Sequence, residues 1–96
     1  MTYRVIIDEL VFEKDFKKIQ PNDQRRIIKA IRQKLTSNPK EFGRLLHGGL
    51  KGFWKLRVGE YRVVYSIEDE RILVHVILVG FRRDLEAYRA ALLRKP

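Results

Sequence analysis

The sequence predicts an α+β fold: a strand, a two-helix hairpin, a three-strand antiparallel meander and a C-terminal helix, with the helices packed on one sheet face. Three observations predict it. The chain opens on the alternating stretch TYRVIID; apolar residues then recur at three- and four-residue spacing up to Leu35; and three strand-like runs, FWKLRV, YRVVYSI and ILVHVILV, follow one another across short polar turns.

Each element has a local reason. Tyr3, Val5 and Ile7 alternate with Thr2, Arg4 and Ile6, as a strand requires, and Asp8 is a good N-cap for a helix carrying Leu10, Phe12, Phe16 and Ile19. Pro21 and Asn22 break that helix. A second runs from Asn22 to about Leu35 on Ile27, Ile28, Ile31 and Leu35, and the SNP at 37–39 stops it. Residues 38–52, NPKEFGRLLHGGLKG, hold four glycines and no period, which predicts a long loop. Gly59-Glu60 and the EDER at 68–71 are turns, and residues from about Asp84 to Leu93 read as a helix with Leu85, Tyr88 and Leu92 on one side.

Ninety-six residues suit a single domain, 1–96, with one modest core. Its 21 Lys+Arg against 12 Asp+Glu give a net charge of +9, a field that attracts polyanions such as nucleic acid, ribosome or an acidic protein. There is no cysteine, so disulfide and thiolate chemistry are excluded, and two histidines without cysteine make a poor metal site. The start MTYRVIIDEL lacks a basic leader with a long apolar region, and no apolar run reaches the ~20 residues of a membrane span. The expectation is a soluble cytoplasmic protein with no cofactor and no membrane partner.

Register turns the cations into a surface. A two-residue loop at Gly59-Glu60 pairs Val58 with Tyr61, Arg57 with Arg62 and Lys55 with Val64. Trp54, Leu56, Val58, Tyr61, Val63, Tyr65 and Ile67 then share an apolar face, while Lys55, Arg57 and Arg62 share the other. Pairing Ile67 with Ile72 across the second turn sets Ile77 beside Arg62 and His75 beside Val64, and points Val74, Val76 and Leu78 to the core. Facing arginines destabilise a sheet pair unless an anion lies between them. The strand ending at Gly80 delivers Arg82 and Arg83 to the same rim, with Tyr88 beyond. Singly, each arginine is an ordinary solvated charge; together they read as an anion site. Tyr88 fits packing and chemistry equally, and His75 reads as structural.

The string LKGFWKLRVGEYRVVY, with VGFRRDLEAY after a strand, resembles the RelE/ParE superfamily of bacterial toxins over essentially the whole chain, closest to the RelE-type ribosome-dependent mRNA interferases. The resemblance implies a type II toxin–antitoxin toxin that cleaves mRNA on the ribosome without a metal, paired with a cognate antitoxin. Lys55, Arg62, Arg82 and Tyr88 stand where RelE-type toxins carry their active lysine, two arginines and tyrosine. They imply a base, a phosphate-binding fork, a group stabilising or protonating the leaving oxygen and an orienting phenol, around attack by the substrate's 2′-hydroxyl on the phosphate. Phe53 stands where that pattern has a further lysine, and Phe81 where many relatives place a histidine. Lys51, Arg57 and Arg83 are the remaining candidate phosphate contacts, and Phe53 a candidate stacking platform for a base. Two other readings stand beside this one: a ParE-type DNA gyrase inhibitor without nuclease activity, and a non-catalytic nucleic-acid or ribosome-binding module.

Overall fold

The computed structural model describes residues 2–95 and, within them, all side chains but that of Leu85, so the packing expected of Leu85 lies outside the described residues. Five strands form one sheet: β1 (Arg4–Ile7), β2 (Arg44–Leu45), β3 (Phe53–Val58), β4 (Tyr61–Glu68) and β5 (Leu73–Phe81), in the order β1-β5-β4-β3-β2. β1 lies parallel to β5, and the remaining pairs are antiparallel.

The helical hairpin follows the apolar spacing. Asp8 caps its entry, Oδ1 accepting from the Leu10 N–H at 2.9 Å, and the segment continues through wide turns at Val11–Asp15 into a tight turn at Phe16–Lys18. Gln24 closes the bend by donating to the carbonyls of Phe16 and Ile19, each at 2.7 Å. Pro21 opens α1 (Pro21–Ala30), where its missing N–H costs nothing, and the helix runs on as wide turns over Ile31–Leu35. Val11, Phe16, Ile19, Ile27, Ile31 and Leu35 all bury against the sheet.

The expected long loop at 38–52 is more ordered than its composition suggests. It holds a single turn, α2 (Pro39–Phe42), then β2, then a tight turn at Gly48–Leu50. Two physical causes act. β2 pairs with the outer edge of β3, which would otherwise present unpaired backbone groups, and the buried Tyr65 hydroxyl donates to the Pro39 carbonyl at 2.7 Å, fixing α2.

The first hairpin register is as expected: Val58 faces Tyr61, Arg57 faces Arg62 and Lys55 faces Val64. Gly59 supplies the turn's positive φ of 58°. Across the second turn the expected register is corrected. Ile72 does not pair with Ile67; it takes left-handed angles, φ 49° and ψ 52°, and closes the turn at Asp69–Arg71. Glu68 pairs with Leu73 instead, and Ile67 with Val74.

A bulge adds a second correction. Tyr65 pairs with Val76 but its neighbour Val64 pairs with Leu78, so Ile77 is supernumerary. Beyond it the alternation inverts. Arg62 therefore faces Gly80, not Ile77, and Leu78 turns away from the hairpin, where Val79 takes its place; His75, ahead of the bulge, faces Ser66 and not Val64 because of the register at the turn.

The helices divide between the faces. The hairpin covers the face bearing Leu56, Val58, Tyr61, Val63 and Tyr65, as expected. The C-terminal helix, α3 (Leu85–Arg94), covers the opposite one, packing Ala91 with Leu50, Phe53, Val64, Ile77 and Leu78. This departs from packing on a single face, and the bulge helps bring it about by turning Leu78 onto the second face beside Ile77. Among the described residues no helix is long and apolar enough to cross a membrane.

Candidate active site

Two strands and one helix build the cationic surface. Alternation puts Lys55 and Arg57 of β3 and Arg62 of β4 on the α3 face, and the buried part of that face, Phe53 and Val64, lies beside them under α3. Tyr88, one turn into α3, completes the cluster: Arg62 Nη1 donates to its hydroxyl, and Arg62 Cζ lies 5.8 Å from its ring centroid. The facing arginines are drawn to different partners. Arg57 Nε donates to the Gly59 carbonyl at 3.3 Å, towards the turn, while Arg62 is held by α3.

Lys55 sits in the middle of this charge. Burial, first, and then the guanidiniums of Arg62 and Arg44 push its ammonium below the ordinary lysine range, because each disfavours the charged form. Arg44 is the β2 residue directly opposite Lys55.

Arg82 is placed by the first hairpin turn. Its N–H donates to the Glu60 carbonyl at 2.9 Å, and its Nε to Glu60 Oε2 at 3.2 Å. The arginine side chain is 24% exposed and its carboxylate partner 66%, so the pair stands at the rim with the glutamate outermost. Arg83 is exposed, and Asp84 caps α3 by accepting from the Glu86 N–H at 2.9 Å. The helix start is thus served by Asp84, while the two arginines precede it on the strand exit. Lys51 is exposed after the Gly48–Leu50 turn.

Phe53 is corrected. Its ring is 9% exposed and packed among Leu50, Val64, Ile77, Leu78 and Ala91, which leaves no face open for a base. The apolar side of β3 extends beneath α3, and a phenylalanine there serves the core. Phe81 packs on Tyr61, ring centroids 4.8 Å apart. His75 lies away from the cluster, Nε2 at 3.5 Å from Asp8 Oδ2.

Two charged neighbours escaped the sequence reading. Arg44 gave no signal, because nothing in a glycine-rich loop announces an edge strand. Glu60 was legible as a turn residue, but its pairing with Arg82 depends on where β5 ends. Among the described residues no group of three or more His, Cys, Asp or Glu is arranged to hold a metal ion.

Comparison with known proteins bears on this geometry. Residues 9–86 match the family model described as the ParE toxin of type II toxin–antitoxin system, parDE. The chain is 32% identical over 96 residues to the mRNA interferase toxin RelE of Escherichia coli (strain K12), covering 98% of each. Among solved structures, it superposes with a TM-score of 0.77 and 25% identity on free E. coli RelE carrying two arginine-to-alanine substitutions, over 100% of both chains. It superposes with a TM-score of 0.79 and 27% identity on a chain of the toxin–antitoxin complex RelBE2 from Mycobacterium tuberculosis, covering 88% of this chain and 95% of that one.

Proposed function

The chain belongs to the RelE/ParE superfamily of type II toxins, and from that premise we propose that it is a ribosome-dependent endoribonuclease that cleaves mRNA without a metal, acting as one domain over 1–96. The observation that carries the reading is the convergence of Lys55, Arg62 and Tyr88 on one face, with the lysine pushed towards its neutral form.

The chemistry follows from those groups. Neutral Lys55 takes the proton of the substrate's 2′-hydroxyl, the 2′-oxygen bonds to the adjacent phosphorus, and the bond to the 5′-oxygen of the next nucleotide breaks, leaving a 2′,3′-cyclic phosphate. The leaving 5′-oxygen takes its proton from solvent water, and Lys55 returns the proton it gained to solvent before the next turnover. Arg62 binds the non-bridging oxygens through its planar fork, and Tyr88, already hydrogen-bonded to Arg62, orients the nucleotide. Arg82 faces the leaving oxygen; its exposed partner Glu60 is a weak surface contact that a phosphate displaces. Fixed donors of this kind are commonly worth ~2.7 to 4 kcal/mol each in the transition state. Lys51, Arg57 and Arg83 bind flanking phosphates.

The partners are mRNA, the ribosome and a cognate antitoxin, whose binding segment is acidic or amphipathic to suit a chain of net charge +9. The compartment this requires is the cytoplasm. Primer extension on a translated message, with purified protein, tests the reading: cuts appear with ribosomes and are absent without them. Intact transcripts alongside gyrase-linked DNA breaks overturn it in favour of a gyrase inhibitor, and intact transcripts with retained ribosome binding in favour of a non-catalytic module.

A further inference from the structure

α3 has few means of holding its place. It is ten residues long, and isolated helices below ~12 to 15 residues are marginal in water. Among its described residues, the contacts with the sheet come from small side chains, Ala87, Ala90 and Ala91, beside Tyr88. Two features compensate. The first is close approach. A Cβ on Gly80 would stand 2.7 Å from the Ala87 Cβ, which cannot rotate away, so this glycine lets the helix lie lower than any side chain would allow.

The second feature is polar and lies at the bulge. β1 ends at Ile7, and its last bond to β5 runs from the Asp8 N–H to the Val76 carbonyl at 2.8 Å. Past that rung side chains take over. Asp15 Oδ2 accepts from the Val79 N–H at 2.9 Å and from Arg94 Nη1 at 2.8 Å, while Asp15 Oδ1 accepts from Arg94 Nη2 at 3.0 Å. Arg94 Nη1 also donates to the Ile77 carbonyl at 3.1 Å. Both side chains are 9% exposed. One bidentate pair therefore ties the helical hairpin, the bulged strand and the last turn of α3 together.

We propose that Asp15 and Arg94 are positioning residues that latch α3 onto the bulge of β5, over the floor provided by Gly80, and so hold Tyr88 against Arg62. The role rests on the reading of Arg62 and Tyr88 as active-site groups. Tyr88 is six residues from Arg94, about 9 Å along the axis of a helix with a 1.5 Å rise, so a tilt at the latch is carried to the phenol. Misplacement by an ångström is enough to impair a positioned site.

The test separates the latch from the chemistry. The full chain is labelled with 3-fluorotyrosine at its four tyrosines, and the Tyr88 signal is identified by its loss in Tyr88→Phe. In Arg94→Gln and Asp15→Asn, the Tyr88 resonance should move towards its position in Arg62→Met. Amides of 85–94 should exchange faster by about tenfold or more, while Tyr3, Tyr61 and Tyr65 stay in place. Single-turnover cleavage should fall by a similar factor. Gly80→Ala should do the same with the latch intact, and adding Ala87→Gly should restore both signal and rate. An unmoved Tyr88 resonance in the latch variants overturns the proposal. So does a moved resonance with unchanged cleavage, or a parallel shift of all four tyrosines in the latch variants and in Gly80→Ala. A wild-type protein that cleaves no message overturns the reading of the site instead, and the fluorine and exchange measurements still decide the latch.

Discussion

The two faces of the sheet differ in what they spend their side chains on. Among the described residues the hairpin face gathers fourteen buried ones, among them Tyr65, Ile27, Ile31 and Leu35, whereas the α3 face gathers six. At ~1.5 to 3 kcal/mol for each large apolar side chain buried, the hairpin face carries most of the stabilisation. Its buried phenols are also closed to chemistry. Burial pushes the Tyr65 hydroxyl far above the ordinary tyrosine range, and burial together with the Asp23 carboxylate, which accepts from it at 2.9 Å, raises Tyr61. The thinner face leaves Arg57 exposed and Lys55 and Arg62 half-buried beside the helix, with Tyr88 reaching over from it. One face makes the fold, and the other keeps like charges close enough to bind an anion.

That contrast predicts that activity and stability respond to different substitutions. Lys55→Met should have the largest effect, a loss of about 10² to 10⁴ in single-turnover cleavage, the range of general acid–base groups. The wild-type rate should rise with pH and level off below the ordinary lysine range, since burial, Arg62 and Arg44 favour the neutral amine. That limb should vanish in Lys55→Met and survive in His75→Gln; the opposite pattern would identify the histidine as base. Arg62→Ala should cost about 10² to 10³ in rate with little change in Tm, because the side chain it removes is at the surface of the thin face. A comparable loss of stability would mean that the charged face is part of the core.

The hairpin face should show the reverse. Ile27 is fully buried, and Ile27→Ala should destabilise by roughly 2 to 5 kcal/mol in denaturant titration while leaving the rate per folded molecule near that of wild type. A rate deficit at saturating folded fraction would couple the two faces. The smallest and sharpest effect belongs to Arg44→Met. Removing that cation relieves the protonated form of Lys55, so the lysine pKa rises and the alkaline limb moves to higher pH, by less than about one unit because burial and Arg62 remain. A limb that moves down, or not at all, would remove Arg44 from the site.

Much of this molecule was legible in its residues. Local periodicity gave the elements, since a helix or a half-buried strand must repeat its apolar residues at its own period, and Gly59-Glu60 set the register of β3 and β4 because a two-residue loop leaves no slack. That register alone puts Lys55, Arg57 and Arg62 on one face. Three features depended on the tertiary structure. Ile72 adopts left-handed angles that no residue type announces; Ile77 is extruded as a bulge, which inverts the alternation of β5 and turns Leu78 and Gly80 towards α3; and Arg44 becomes a strand residue only because β3 has an open edge. From these follow the helix on the second face, the burial of Phe53, and the cation that joins Arg62 in depressing the Lys55 pKa. The division has one physical cause. Periodicity and turn length act between residues a few positions apart, whereas a bulge or an edge pairing is settled by groups as distant as Asp15 and Arg94, which meet only after the chain has folded.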